Sequence, residues 1–286
     1  MHPRSLHQNS YDFRKLISAL PALTPFVILN QFGNRSIDFG NPGAVLQLNK
    51  ALLKFHYKIE NWDIPEGYLC PPIPGRAEYL HHIADLLKET GKNSSIRGLD
   101  IGVGANAIYC ILANRIYDWK MRGTDVEEQS VKAAGSNILN NPGTLKDIEV
   151  KLQPDRGSIF KGMIGDQDHF HFTMCNPPFY NSENDAQKAN FQKSRNLGQE
   201  TESARNFGGQ ATELWCNGGE ALFLKRMIKE SKLFKNQVDW FTCLVSKKEN
   251  LAKLYKQLDK VKASFTSIEM EVGNKKSRII AWQFNT

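Results

Sequence analysis

From residue 96 onward, short apolar runs alternate with longer stretches of helical spacing, and that alternation leaves few folds open. Residues 96–101, 121–125, 148–152, 170–175 and 238–245 read as buried strands. Residues 105–116, 127–140, 219–231 and 248–258 read as helices. Strand–helix–strand units close by right-handed crossovers, giving a parallel sheet with helices on both faces. Two more strands are predicted at 264–272 and 278–284. The Gly-Asn-Lys-Lys-Ser link at 273–277 is too short for a parallel crossover, so this pair must be antiparallel. The expected fold is α/β, a mostly parallel seven-stranded sheet whose last strand runs antiparallel.

Residues 1–75 differ in character. They hold short apolar stretches, as at 26–29, and a helical pattern at 44–56, and they end in Tyr68-Leu-Cys-Pro-Pro-Ile-Pro-Gly75. Three prolines in four residues oppose a helix and favour an extended turn. The division predicted is an N-terminal extension, 1–75, and a main domain, 76–286. The main domain opens with a helix over 76–89 that Gly91 stops. One long irregular segment, 180–216, interrupts the alternation; a loop of that length in a compact domain is usually functional.

Composition removes several function classes. No apolar run approaches the ~18 residues of a membrane span, and the N-terminus lacks a secretory apolar core. The expectation is a cytosolic protein with no obligate protein partner. The five cysteines are odd in number, and none is spaced C-x-x-C. A disulfide framework or a zinc site is therefore not expected. His81, His82, His169 and His171 lack carboxylate or cysteine partners at metal spacing, so no metal is expected. The net charge of +7 is concentrated: residues 225–262 carry 11 Lys+Arg against 4 Asp+Glu, 11 − 4 = +7. Such a surface suits a phosphate-rich partner, or simply solvated helix faces.

Two motifs carry chemistry. Leu99-Asp100-Ile-Gly102-Val-Gly104-Ala-Asn106-Ala107 joins the first strand of the sheet to its first helix. Glycines there let the backbone turn sharply and approach a ligand at the carboxyl end of a strand. Asp125 ends the next strand, placed to accept both ribose hydroxyls of a nucleoside cofactor. The third glycine of a dinucleotide fingerprint is absent, so a cofactor without a pyrophosphate fits better. The second motif, Asn176-Pro177-Pro178-Phe179, follows the fourth strand. The Asn176 amide oxygen and a proline carbonyl, that of Pro177, can accept the two hydrogens of an –NH₂ group. Holding both favours a pyramidal nitrogen with its lone pair aimed at an electrophilic methyl group. Phe179 offers a flat face for a base, worth about 1–3 kcal/mol in stacking.

These motifs and the strand order resemble class I (Rossmann-like) S-adenosylmethionine-dependent aminomethyltransferases. More closely, the chain resembles the bacterial 23S ribosomal RNA adenine-N6 methyltransferase family, RlmF, and is similar to the human methyltransferase-like enzyme that methylates adenine in structured RNA. The likeness covers nearly the whole chain. It rests on His2-Pro-Arg, Tyr11-Asp-Phe, Trp62-Asp-Ile-Pro, Cys70-Pro-Pro-Ile-Pro-Gly-Arg76, Met174-Cys-Asn-Pro-Pro-Phe179 and Asn217-Gly-Gly-Glu220. The resemblance implies S-adenosyl-L-methionine as cofactor and 23S ribosomal RNA, or a pre-ribosomal particle, as partner. It implies that Arg76 reaches the cofactor carboxylate, that Gly102 and Asn106 line the methionine side, that Asp125 holds the ribose and that Ser158 approaches the adenine. Residues 181–217 match the family's substrate loop, in which Lys193, Arg195 and Arg205 would meet phosphates. Lys247 and Lys248 match a basic pair after the fifth strand.

Three other readings stay open at this point. A protein glutamine methyltransferase would use Asn-Pro-Pro equally well, but the basic C-terminal third argues against it. A catalytically inactive RNA-binding module is disfavoured by the intact Asp100, Asp125 and Asn176. A nicotinamide dehydrogenase is disfavoured by the missing third glycine.

Overall fold

A computed structural model describes residues 1–89, 91, 94–143, 145–178, 218–272 and 275–284. Seven strands form one sheet: β3 (Arg97–Ile101), β4 (Lys120–Asp125), β5 (Ile148–Leu152), β6 (Phe170–Cys175), β7 (Val238–Val245), β8 (Ser264–Val272) and β9 (Lys275–Gln283). Their order is β5-β4-β3-β6-β7-β9-β8. β3 to β7 are mutually parallel, and β9 runs antiparallel to both β7 and β8. The predicted arrangement is therefore the observed one, although the last strand starts three residues before 278.

The helices sandwich this sheet. α2 (Pro42–Tyr57), α3 (Ile73–Glu89) and α4 (Ile108–Tyr117) share one apolar cluster with Met121, Trp240, Leu244, Ile279 and Ala281. α6 (Gly219–Ser231) and α7 (Leu251–Val261) share the other with Leu99, Phe241, Cys243, Ile280 and Trp282. The alternation of Ile279 and Ala281 with Ile280 and Trp282 shows a strand buried on both faces. α5 (Glu128–Leu139) packs against β5. β3 and β6 approach closely at Gly98, where any Cβ would collide with the Phe172 ring.

Three expectations need correction. α3 begins at Ile73, not at 76, so the boundary placed at residue 75 falls inside its first turn. Pro74 is compatible with a first turn, because N–H groups there have no helical partner to lose. The helix predicted from 105 starts at Ile108, since Asn106 and Ala107 belong to the preceding loop. The last helix is a 3₁₀ turn, Lys248–Asn250, followed by α7.

The N-terminal region has more structure than its pattern suggests. It contains α1 (Phe13–Ala19), capped by the Asp12 carboxylate, and a hairpin of β1 (Val27–Leu29) with β2 (Arg35–Ile37). Phe13, Leu16, Leu23, Leu48, Leu52 and Trp62 join the same core as α3 and α4. Among the described residues, no helix is long and apolar enough to cross a membrane.

Candidate active site

β3 and β6 are neighbours, yet the chain leaves β3 toward β4 and returns to β6 only after β5. Their carboxyl ends open a crevice at this switch point, where ligands bind in open α/β sheets. A cavity of about 420 Å³ occupies it. Arg76 from α3, Gly102, Gly104 and Asn106 after β3, Asp125 at the end of β4, Ser158, and Asn176 and Pro178 after β6 all line it. Of the other predicted site residues, Asp100 is fully buried just before the glycine loop, and Pro177 is not among the lining residues. Lys247 and Lys248 are exposed and lie at the same end of the sheet, after β7, but away from the cavity wall. Phe179, Lys193, Arg195, Arg205 and the segment 181–217 lie outside the described residues.

The glycine loop is shaped by backbone bonds. Gly102 and Val103 both donate to the Thr124 carbonyl, at 2.8 and 2.9 Å. Gly102 has φ +76°, and a Cβ there would meet no protein atom within 4 Å. Conformation therefore demands the glycine, while the open space beside it is left to a ligand. Gly104 N–H donates to Asp125 Oδ2 at 2.9 Å, and Glu127 N–H to Oδ1 at 3.0 Å. These bonds orient the Asp125 carboxylate at the rim. Burial pushes its pKa up from the ordinary value, and the backbone donors oppose that shift.

The back of the loop is held by the N-terminal region. Trp62 Nε1 donates to the Asn106 carbonyl at 2.8 Å. Asn137 Nδ2 donates to the carbonyls of Ala105 at 3.2 Å and Asp63 at 2.8 Å. Asn106 in turn accepts from Ile108 N–H through Oδ1 at 3.0 Å, capping α4. The Trp62-Asp-Ile-Pro stretch thus buttresses the glycine-loop side of the cavity.

Arg76 dominates the electrostatics. Its Nη1 donates to Tyr109 Oη at 2.6 Å, and its guanidinium carbon lies 5.1 Å from that ring's centroid. With its amide turned to match donors to acceptors, Asn176 accepts from Arg76 Nη1 and Nη2 at 3.3 Å each. Among the described residues no carboxylate forms an ion pair with Arg76, and its Nε is buried without a hydrogen-bond partner. Asp100 Oδ1 is buried and unpartnered as well. Burial pushes the Asp100 carboxyl up to about 7, against the pull of Arg76. Burial likewise pushes the Tyr109 phenol up to about 12, so it stays neutral and can accept from Arg76.

Buried polar atoms without partners require explanation. A ligand carboxylate would give Arg76 a charged partner, and a ribose diol could add to the backbone donors already on the Asp125 carboxylate. S-adenosylmethionine has both groups and no phosphate, so the residues present fit it.

Ser158 closes the rim differently, its Oγ donating to Asp155 Oδ2 at 2.7 Å. Several participants escaped the sequence reading: Tyr109, Arg156, Phe223 and Arg226 carry no local motif, and the Trp62-Asp-Ile-Pro stretch does not by itself show what Trp62 holds. Glu220, buried at the start of α6, accepts from Ser246 N and Oγ at 2.6 Å and from Asn250 Nδ2 at 2.6 Å. It fixes the turn that carries Lys247 and Lys248. Its place in Asn217-Gly-Gly-Glu220 was the only signal.

Comparison with known proteins agrees with this geometry. A family profile described as RNA methyltransferase matches residues 1–286. Ribosomal RNA large subunit methyltransferase F of Christiangramia forsetii is 64% identical, over 100% of this chain and 100% of that protein. The protein of the same name from Pectobacterium carotovorum is 47% identical over 99% of this chain and 93% of its own length. Among solved structures, the human METTL16 catalytic domain in complex with the MAT2A 3′UTR hairpin 1 superposes with a TM-score of 0.84. It is 32% identical, covering 100% of this chain and 96% of that one. The METTL16 N-terminal domain in complex with SAH gives a TM-score of 0.79 at 29% identity, over 100% and 99% of the two chains. With a full-length family match and a relative of that identity, this chain belongs to the RNA methyltransferase family that includes the ribosomal RNA large subunit methyltransferases F.

Proposed function

We propose that this enzyme transfers the methyl group of S-adenosyl-L-methionine to N6 of a specific adenosine in 23S ribosomal RNA, in the cytoplasm. The observation that carries the reading is the position of Asn176. Its amide lies in the same cavity as the glycine loop and Asp125, on strand ends that neighbour each other.

The bound cofactor supplies an electrophilic sulfonium methyl. This chain's residues do the rest. Arg76 binds the carboxylate end through charge-assisted hydrogen bonds, while Asp125 accepts from the ribose. Asn176 Oδ1 and the Pro177 carbonyl accept the two amine hydrogens and aim the nitrogen lone pair into the cavity. Pro177 and Pro178 lack N–H groups and restrict the backbone that presents these acceptors. Phe179 stacks on the base. In-line positioning of this kind supplies most of the rate, without a general base. The basic pair Lys247–Lys248, Lys193, Arg195, Arg205 and the extension 1–75 contact RNA phosphates.

The test is tritium transfer from labelled cofactor into separated RNA, protein and DNA fractions, followed by nucleoside analysis. Label in N6-methyladenosine from the large ribosomal RNA is the expected result. Label in glutamine of a protein fraction would overturn the proposal in favour of the amide substrate.

A further inference from the structure

The end of the sheet opposite the cavity holds a second cluster. His169 precedes β6, and His171 is its second residue. Spaced two apart, they project from one face of the sheet. The neighbouring carboxylate in sequence, Asp168, is held by Arg122 and Arg97. β7 supplies another: Phe170 pairs with Val238 and Phe172 with Trp240, which sets His171 beside Asp239. His169 Nε2 lies 3.2 Å from Asp239 Oδ1. The two imidazole rings meet edge to face, with centroids 5.5 Å apart. One ligand atom from each of His169, His171 and Asp239 lies within 4.8 Å of the others.

We propose that His169, His171 and Asp239 form a binding site for a late first-row divalent metal ion, of which zinc is the representative. Two imidazoles and one carboxylate are the donor set of zinc, cobalt and nickel, whereas magnesium and calcium favour all-oxygen sets. Donors around a zinc at ~2.0–2.1 Å stand about 3.3 Å apart, so from separations of up to 4.8 Å the triad closes by side-chain rotation over up to about 1.5 Å. His169 is 47% exposed and has room for that rotation. The fourth position is left to water.

The surroundings limit the affinity without forbidding binding. Arg97 N–H donates to His171 Nδ1 at 3.0 Å. With Nδ1 taken as an acceptor, the ion binds His171 at Nε2, and the proton that the neutral ring carries there moves to Nδ1. With Nδ1 protonated, the bond from Arg97 N–H is broken. That lost bond weakens binding by up to about tenfold. The ion would join the starts of β6 and β7, with Asn176 at the far end of β6, about 17 Å away.

The experiment is calorimetric titration of the full chain, free of any polyhistidine tag, with zinc chloride and, separately, magnesium chloride. One equivalent of zinc, and no magnesium heat, are expected. His169→Ala, an exposed change that leaves the core intact, should weaken zinc at least tenfold, as should Asp239→Asn, while RNA methylation by His169→Ala stays at the wild-type rate. Zinc should raise the melting temperature of the wild type but not of His169→Ala. Absence of zinc binding would overturn the proposal. So would binding that His169→Ala and Asp239→Asn leave unchanged, which would place the ion elsewhere, as at His2, His81 and His82.

Discussion

Two arginines near opposite ends of the sheet show the difference between a charge the fold fully engages and a charge the fold leaves under-partnered. Arg122, on β4, is 5% exposed and fully engaged. It donates to Glu149, to Asp168 and to the Met163 carbonyl, and its guanidinium carbon lies 5.1 Å from the Phe170 ring centroid. Burial alone would lower its pKa, but the hydrogen bonds to Asp168 and Glu149 outweigh that and raise it. Burial likewise opposes ionisation of Asp168, yet bonds from Arg122, Gly165 N–H and Arg97 hold its carboxyl well below the usual carboxylate range. Arg76 has only a phenol and an amide, with Nε unpartnered. A protein tolerates such an under-compensated cation where binding completes it.

Substituting the two arginines separates these roles. Arg122→Met leaves Asp168 and Glu149 short of their partner and should cost about 3–5 kcal/mol of stability. Thermal unfolding should show a midpoint lower by roughly 10 °C. An unchanged midpoint would dissolve the contrast. Arg76→Met should do the reverse: a midpoint close to wild type, and affinity for S-adenosylhomocysteine lower by about 30-fold or more. Calorimetry showing unchanged affinity would remove Arg76 from the cofactor site.

Asp100 sharpens the same comparison through pH. Its folded pKa, about 7, lies above its ordinary carboxylate value. Below the ordinary value both states hold the proton and there is no penalty. Between the two values the folded state keeps a proton that the unfolded chain has released, so stability falls as pH rises toward 7. Asp168 behaves oppositely: its stabilisation is present above the ordinary carboxylate value and is lost in acid. Asp100→Asn should therefore gain on the order of 4 kcal/mol relative to wild type between pH 4 and pH 8. Parallel denaturation curves at both pH values would show that the buried carboxyl carries no such penalty.

The smallest effect belongs to the exposed lysines. Replacing Lys247 and Lys248 by alanine should raise the Michaelis constant for ribosomal RNA a few-fold. Each lysine–phosphate interaction removed should reduce the salt slope of binding by roughly 0.7. Cofactor affinity should not move. A salt slope identical to wild type would place the RNA on another face.

How far the sequence showed all this depended on how local each signal was. The strands at 148–152, 170–175, 238–245 and 264–272 coincide with the observed ones, because each is an apolar run bounded by turn residues. The start of α3 was misjudged because proline opposes a helix interior but not a first turn. α1 and the β1–β2 hairpin are short, and they depend on tertiary contacts that composition does not reveal. The cavity residues Gly102, Asn106, Asp125 and Asn176 were legible because both motifs lie on strand ends. Tyr109, and the contact Trp62 makes, were not, since the partners Arg76 and Asn106 lie 33 and 44 residues away. Asp239 shares the limitation, being joined to the histidines only through sheet register.

The central claim is that Asn176 acts on the transferred amine and not on the cofactor. Single-turnover methylation of the large ribosomal RNA by Asn176→Ala, with the S-adenosylhomocysteine affinity of the same preparation, tests it most directly. Loss of one transition-state acceptor should slow transfer about 10²-fold or more, roughly 3 kcal/mol, with cofactor affinity within about threefold of wild type. Transfer at the wild-type rate would contradict the claim, and so would a slow rate explained entirely by weakened cofactor binding.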